Sequence, residues 1–455
     1  MLIGPGGGRV RPLGCAGFRY RAAVVNGTSP IRIGLLGYGT VGSAVHRLLR
    51  DGAESIERVT GQPVDVAAAL VRDPARHADA PEGVLTTDFA RLRDDPTISV
   101  VAEVMGGIEP TREYVLALLG AGKSVVSANK QLLSQHGDEL FGAAERNGVQ
   151  LRFEASVCAA IPVVKVLRES MIVTNVHRID GIVNGTTNFI LTRMIQSGAP
   201  YAEALAEAQA LGYAEADPTE DVTGADAAAK IAILASIAFH TRMRLEEVDH
   251  VGINLLDLAD VEHAAELGYA VKLIASAWRS GGEVAARVHP CLLAGNHPLA
   301  AVDGAFNAVM LQGSSIREVI LEGPGAGGEE TATAVIGDVV AVIGTQGTGF
   351  LQHDVHYRDV GRFPPGQLQS PCYLRFTVDD TPGVLAQVAQ QLADHDVSVA
   401  QVVQHPGAAG VHIVILTHRA AEGDVRAAAD GVAAKDFSRT APVLLPVLER
   451  HADAT

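Results

Sequence analysis

The stretch Ile31–Arg50, IRIGLLGYGTVGSAVHRLLR, decides the fold. A short apolar run, Ile31–Gly37, ends in Gly37-Tyr38-Gly39-Thr40-Val41-Gly42, and Val41–Arg50 then carries apolar residues at helical spacing. A strand feeding a helix through G-x-G-x-x-G predicts a dinucleotide-binding turn. The glycines permit a tight bend and let a pyrophosphate lie against the backbone at the positive end of the helix. Working outward, Val64–Val71, Val100–Met105 and Ser124–Ser127 read as three more strands, with a helix at Thr111–Leu119. Strands alternating with helices predict an α/β fold, a Rossmann-type doubly wound parallel sheet over residues 31–160. The helix 331–345 is expected to complete it.

The end of the second strand sets cofactor choice in such folds. Here Val71-Arg72-Asp73-Pro74 places Arg72 at that end with Arg76 close behind. An arginine there holds a 2′-phosphate by charge-assisted bonds, which favours NADP(H) over NAD(H); Asp73 next door keeps a ribose contact, and so NAD(H), open. Ser127-Ala128-Asn129-Lys130 follows the fourth strand, at the carboxyl edge where ligands of these sheets bind. By position, Lys130 reaches either the nicotinamide region or a substrate carboxylate.

After about residue 160 the pattern changes. Met171–Val183 is rich in β-branched residues, Tyr201–Leu211 and Ala225–His240 are Ala-rich helices, and Ala270–Ser276 and Val284–His289 read as strands. A central α+β domain is expected over 161–330, ending in the glycine-rich stretch Gly323–Gly328. Residues 344–370 lack periodicity and read as a linker. Beyond it, strand, helix, two strands and a helix (Cys372–Val378, Gly383–Asp394, Ser398–Val403, Val411–Thr417, Gly423–Gly431) predict a ferredoxin-like module over 371–455. The Gly- and Arg-rich residues 1–30 lack an apolar h-region and read as a disordered extension.

With 455 residues the chain exceeds one ordinary domain. Its 36 basic against 52 acidic residues give a formal charge of −16, which argues against nucleic-acid or anionic-membrane partners. No apolar run reaches the roughly 20 residues of a membrane span. The four cysteines are scattered without a CxxC pair, which fits a reducing cytoplasm with neither a disulfide framework nor a zinc site.

The chemistry centres on GYAEADPTEDVTGADAAAK, Gly212–Lys230. Thr223 reads as an N-cap with Asp226 three residues on, as in a capping box. Asp226 and Lys230 then share one face of an otherwise apolar helix. Burying two charges costs several kcal/mol unless they pair or meet a ligand, so the choice is between a structural ion pair and a lysine tuned for proton transfer to a carbonyl oxygen. Glu215, Asp217, Glu220 and Asp221 form an acidic loop ahead of them.

Four blocks, GIVNGTTNFIL (Gly181–Leu191), GYAEADPTEDVTGADAAAK, EVMGGIEP (Glu103–Pro110) and SANK, resemble the homoserine dehydrogenase family, from about Ile31 to Phe350. The resemblance implies NAD(P)-dependent interconversion of L-homoserine and L-aspartate 4-semialdehyde in threonine, methionine and isoleucine biosynthesis. It makes Lys230 the acid/base and Asp226 its support. Glu215, Asp221, Lys130, Asn184, Gly185 and Thr186 become substrate residues. Gly212 joins Gly37–Gly42, Arg72, Ser127 and Lys130 at the cofactor, as do Gly325 and Gly327 of the GPGAG turn. Glu330 stands where the family usually has proline.

Glu154-Ala155-Ser156-Val157 resembles the family's monovalent-cation loop, which implies Na⁺ or K⁺ on Glu154 and on the carbonyls of Val157, Ala159 and Ile161. The family commonly has glycines where this chain has Ala159 and Ala160, so glycine-only backbone angles are not expected. Tyr373–Gln404 resembles an ACT domain, whose turn DDTPGVLA sets backbone N–H groups at a helix start. That implies feedback inhibition by L-threonine, or else an assembly module; a homodimer or homotetramer is expected. With no kinase-like segment ahead of it, the enzyme is expected to be monofunctional. A dehydrogenase of another ω-semialdehyde would not share both long blocks. A dead sensor would not keep Asp226 and Lys230.

Overall fold

The computed structural model describes residues 30–345, 360–407 and 410–449. The expected extension at 1–30, but for residue 30, and the centre of the expected linker lie outside them.

The first sheet contains β1 (Ile31–Leu36), β2 (Val64–Leu70), β3 (Leu85–Thr86), β4 (Ile98–Glu103), β5 (Ser124–Ser127) and β6 (Leu151–Arg152). All neighbours run parallel in the order β3-β2-β1-β4-β5-β6. Parallel strands are covered on both faces, which explains why residues 33–36 of β1 are buried without a break and carry no polar side chain. One face packs Ile33, Leu35, Val66 and Val100 against Val45 and Leu49 of the helix Thr40–Asp51 and Val335, Val339 and Val342 of the helix Gly328–Thr345. The other packs Leu36, Val101 and Val125 under Val115, Leu118 and Leu119 of the helix Thr111–Gly120. Strand order reverses between β1 and β4, opening a crevice at their carboxyl ends.

The second sheet contains β7 (Val176–Ile182), β8 (Asp249–His250), β9 (Tyr269–Ser280), β10 (Glu283–Ala294), β11 (Phe306–Gly313) and β12 (Ile316–Pro324). The C-terminal segment adds β13 (Gly361–Arg362), β14 (Gln369–Ser370), β15 (Cys372–Val378), β16 (Val399–Gly407), β17 (Gly410–Thr417), β18 (Ala420–Ala421) and β19 (Val443–Leu448). The path is β12-β11-β7-β9-β10-β19-β15-β17-β16, with β8 and β13 paired to β10 and β14 to β18. The β9–β10 hairpin turns through Gly281 and Gly282, both at positive φ. Its strands are several residues longer than their sequence signal, because buried Arg287, His289 and Pro290 interrupt the apolar pattern of a strand that is buried on both faces.

The ferredoxin-like module closes with a strand that its sequence hides. Pro446 sits inside β19 and cannot donate to a ladder, a feature that argues against a strand in sequence reading. β19 nevertheless pairs antiparallel with β15 and parallel with β10, so the module's sheet continues the central one. Arg375 of β15 strengthens this junction. It donates to the buried Asp260 at 2.5 Å and to Asp257 at 2.8 Å, both at the start of the helix Leu258–Glu266. Arg287 of β10 meets Glu422 of the module in a second buried pair.

Candidate active site

The glycine turn has the geometry a dinucleotide needs. Gly37 has φ +105°, and a Cβ there would sit 3.0 Å from the Cα of Met105. A Cβ at Gly42 would run into the Gly37 carbonyl, so only glycine lets the helix pack this close to β1. A Cβ on Gly39 would meet nothing within 4 Å, so the turn is open on that side. A cleft of about 800 Å³ begins there, lined by Tyr38, Gly39 and Thr40 with Arg47, Arg50 and Arg76. Val41 is the second residue of the helix below it. Arg72 is exposed past the end of β2 and does not line this cleft; Arg76 does.

At the carboxyl end of β4 the buried carboxylate of Glu103 organises the next turn. It accepts the N–H groups of Met105 at 3.0 Å and Gly106 at 3.1 Å, and the Ser127 hydroxyl at 2.6 Å. Burial pushes its pKa up against these bonds. Ser127 also accepts from the N–H of Asn129, whose amide donates to the Gly107 carbonyl at 2.6 Å. Ser127 therefore anchors the turn over the crevice, and Glu103 is a residue that sequence reasoning passed over, although it opens the EVMGGIEP block.

Asn129 caps the helix Lys130–Arg146 by accepting from Leu132 at 3.0 Å, which aims Lys130 off the first turn towards the central domain. There its ammonium meets one oxygen of Asp226. The other oxygen of Asp226 takes Lys230 at 2.8 Å and the Asn184 amide at 2.8 Å. Asn184 also donates to Asp221 at 2.7 Å, and its carbonyl oxygen caps the helix Gly185–Ser197 at Thr187. Lys230 further donates to the Val183 carbonyl at 2.7 Å. So Lys130, Asn184, Asp221, Asp226 and Lys230, which come from three separate sequence blocks, form one network.

Burial alone would drive both partners neutral. For Asp226 the two lysines outweigh burial and hold its carboxyl well below the usual range. For Lys230 burial lowers the proton affinity, but Asp226 outweighs it and the net shift is upward. Burial raises Asp221, which the Asn184 amide opposes in part.

One local expectation is corrected. The helix Ala225–Phe239 has Gly224 at its N-cap, with φ +85° and no side-chain cap. Thr223 instead donates its hydroxyl back to the Thr219 carbonyl at 2.6 Å. Asp226 is engaged by lysines, so no capping box forms.

The remaining candidate residues fall in different places. The Thr186 hydroxyl donates to the Tyr213 carbonyl at 2.6 Å, tying the 185–197 helix to the acidic loop. Gly185 backs closely onto the Ala305 carbonyl. Glu215 is exposed on that loop, outside the lysine network. Gly212 has φ +79° and ends the helix Tyr201–Ala210 in a left-handed turn. Gly325 packs against the amide of Asn307, and Gly327 has φ +135° beside Glu330. Glu330 lies in the first turn of the helix Gly328–Thr345, where an acidic residue is favourable, and neighbouring Glu329 binds Arg47 at 2.5 Å.

Glu154 is buried and accepts the N–H groups of Val164 at 2.8 Å and Lys165 at 2.7 Å. Burial and the nearby Asp338 push its pKa up to about 7. The following turn is left-handed without using glycine-only angles. Cys158 and Ala159 adopt φ +56° and +42°, so the left-handed turn forms without glycine. Non-glycine residues reach this region at a cost of roughly 1–2 kcal/mol, and here both side chains are buried against the core.

Three family models match the chain: "Homoserine dehydrogenase, NAD binding domain" over residues 37–154, "Homoserine dehydrogenase" over 162–340 and "ACT domain" over 373–430. The homoserine dehydrogenase of Bacillus subtilis is 41% identical over 406 residues, covering 87% of this chain and 93% of that one. That of Mycobacterium tuberculosis is 42% identical over 419 residues, covering 89% and 94%. Among solved structures, a homoserine dehydrogenase from Thiobacillus denitrificans superposes with TM-score 0.88 at 39% identity, over 93% of this chain and 99% of that one. A hyperthermophilic archaeal homoserine dehydrogenase in complex with NADPH gives TM-score 0.59 at 29% identity, over 69% and 98%. No described helix is long and apolar enough to cross a membrane.

Proposed function

The chain belongs to the homoserine dehydrogenase family of NAD(P)-dependent oxidoreductases, and from that premise we propose that Lys230, charged by Asp226, is the proton donor and acceptor at the substrate oxygen. The observation that carries the reading is the shared carboxylate of Asp226, which faces two ammonium groups from two domains. The reaction is the reversible reduction of L-aspartate 4-semialdehyde to L-homoserine. The glycine turn Gly37–Gly42 would hold the nicotinamide cofactor, NADP(H) by preference, which would supply the hydride for the aldehyde carbon. An ammonium has three protons to donate. Asp226 and Val183 take two from Lys230, which leaves one for the developing alkoxide. Positive charge there stabilises the transition state more than the neutral aldehyde.

Lys130 has two donors beyond Asp226 for the substrate carboxylate or the nicotinamide side. Asp221, Asn184, Gly185 and Thr186 line the substrate pocket. Glu215, exposed on its loop, is assigned to the substrate amino group by the family resemblance. Arg76 and Arg72 favour NADP(H), with Arg76 the nearer to the cleft. Gly212, Gly325, Gly327 and Ser127 contribute backbone or positioning at the cofactor.

A monovalent cation, Na⁺ or K⁺, fits Glu154 and the carbonyls of Val157, Ala159 and Ile161. A carboxylate whose pKa is raised by burial and then by Asp338 gains from such a charge. The ACT module binds an amino acid, L-threonine, at the helix start after Gly383, whose φ of +93° opens that turn. The edges β12 and β16 leave ladder groups free for assembly into a homodimer or homotetramer. The test is homoserine-dependent reduction of NADP⁺ and of NAD⁺, with and without threonine. Absence of turnover with both cofactors would overturn the reading.

A further inference from the structure

A second polar cluster lies at the junction of the ACT module and the central domain. His263 and Glu266 come from the last turn of the helix Leu258–Glu266, His405 from β16 and His412 from β17. The rings of His263 and His405 stack with centroids 4.2 Å apart, and His405 Nε2 lies 3.5 Å from the Glu266 carboxylate. His263, His405 and Glu266 each offer one donor atom to a group whose members all lie within 4.8 Å of one another. His263 Nε2 is 3.3 Å from His412 Nδ1, and their rings are nearly perpendicular. His263 is buried, and its Nδ1 has no hydrogen-bond partner among the described residues.

We propose that His263, His405 and Glu266 form a divalent transition-metal site, of the zinc class, that fastens the ACT module to the central domain. With His412 Nδ1 as acceptor, His263 Nε2 carries the proton and Nδ1 presents a bare lone pair. This is the ligand form of imidazole, with the other ring nitrogen held by an outer partner. Leaving that lone pair buried and unpaired is unfavourable, and a cation removes the cost. Two imidazoles and one carboxylate suit Zn²⁺ and leave a fourth position for water. His405 is about a quarter exposed and Glu266 more so, which leaves both side chains room to swing out of the stacked arrangement onto a metal placed by His263.

The helix Leu258–Glu266 is thereby held to the module at both ends, by Arg375 at its start and by the metal at its finish. His263 and Glu266 share one helix turn, but His405 comes from a distant strand, so local spacing alone does not announce the site.

The full chain, stripped with EDTA and dialysed against Zn²⁺, tests this by metal content and by calorimetric titration. One Zn²⁺ per chain is expected. His405→Gln and Glu266→Gln, both partly exposed and safe for folding, should each weaken binding at least tenfold. His412→Phe should weaken it roughly 10- to 100-fold, as loss of an outer partner does. His418→Gln, an exposed histidine outside the cluster, should bind as the parent does. Undiminished binding in His405→Gln, or no stoichiometric Zn²⁺ in the parent, would overturn the proposal.

Discussion

Lys130 and Lys230 meet on opposite oxygens of the one carboxylate of Asp226, the first from the nucleotide-binding fold and the second from the central domain. Two ammonium groups are thereby fixed around the one buried carboxylate of Asp226, which sets positive charge where an alkoxide develops. The carboxylate also ties the two domains together at the point where cofactor and substrate must meet.

The pH dependence follows from the sign of the Lys230 shift. Its proton affinity is raised, so the charged acid persists through neutral pH and semialdehyde reduction should hold until the solution is strongly alkaline. Homoserine oxidation needs the neutral amine, whose fraction grows about tenfold per pH unit below the pKa, so oxidation should climb with pH. A pH–rate profile of kcat in both directions checks this; oxidation that falls between neutral and alkaline pH would contradict it.

Asp226→Asn separates the two influences on Lys230. Burial lowers its proton affinity and Asp226 raises it, so removing the carboxylate lets burial win. The alkaline rise of homoserine oxidation should move to lower pH while reduction slows. An unshifted profile would show that Asp226 does not set the lysine.

Glu103→Gln should loosen the Met105–Gly107 turn, because an amide presents one acceptor oxygen where the carboxylate presents two. The expected loss is about 1–3 kcal/mol of stability, with a raised KM for the cofactor. Thermal unfolding and cofactor titration read the two effects.

Arg76→Ala should raise KM for NADP⁺ about 10- to 100-fold, the worth of a charge-assisted bond, and change KM for NAD⁺ far less. Arg72→Ala, farther from the cleft, should do less. Equal losses for both cofactors would remove the 2′-phosphate assignment.

Arg375→Leu should destabilise the chain by roughly 3–5 kcal/mol, since it leaves Asp260 buried without its partner. Arg375→Leu combined with Asp260→Leu should recover most of that. Denaturant unfolding measures both. Truncating the module is a poorer experiment, because it would strip β19 from the edge of β10.

Local features were legible in the sequence. The glycine turn and the i,i+4 pair Asp226/Lys230 depend on neighbours in the chain, and they stand where periodicity and spacing put them. Features made by distant residues were not. Lys130 was a loop lysine with two readings until the fold brought it to Asp226. β19 was hidden by Pro446, and the continuous sheet through it follows from pairing that no local pattern encodes. The capping box failed for a related reason: Asp226 has a stronger use for its oxygens than its own helix start. Glu103 was quoted within a motif, but its task appears only when Ser127 and the Met105–Gly107 turn lie around it.

Lys230→Ala tests the central claim most directly, with NADPH binding followed by fluorescence in the same preparation. kcat should fall by about 10²–10⁴ in both directions, the usual worth of a positioned acid/base, while NADPH affinity stays within twofold. Near-normal turnover with intact cofactor binding would contradict it.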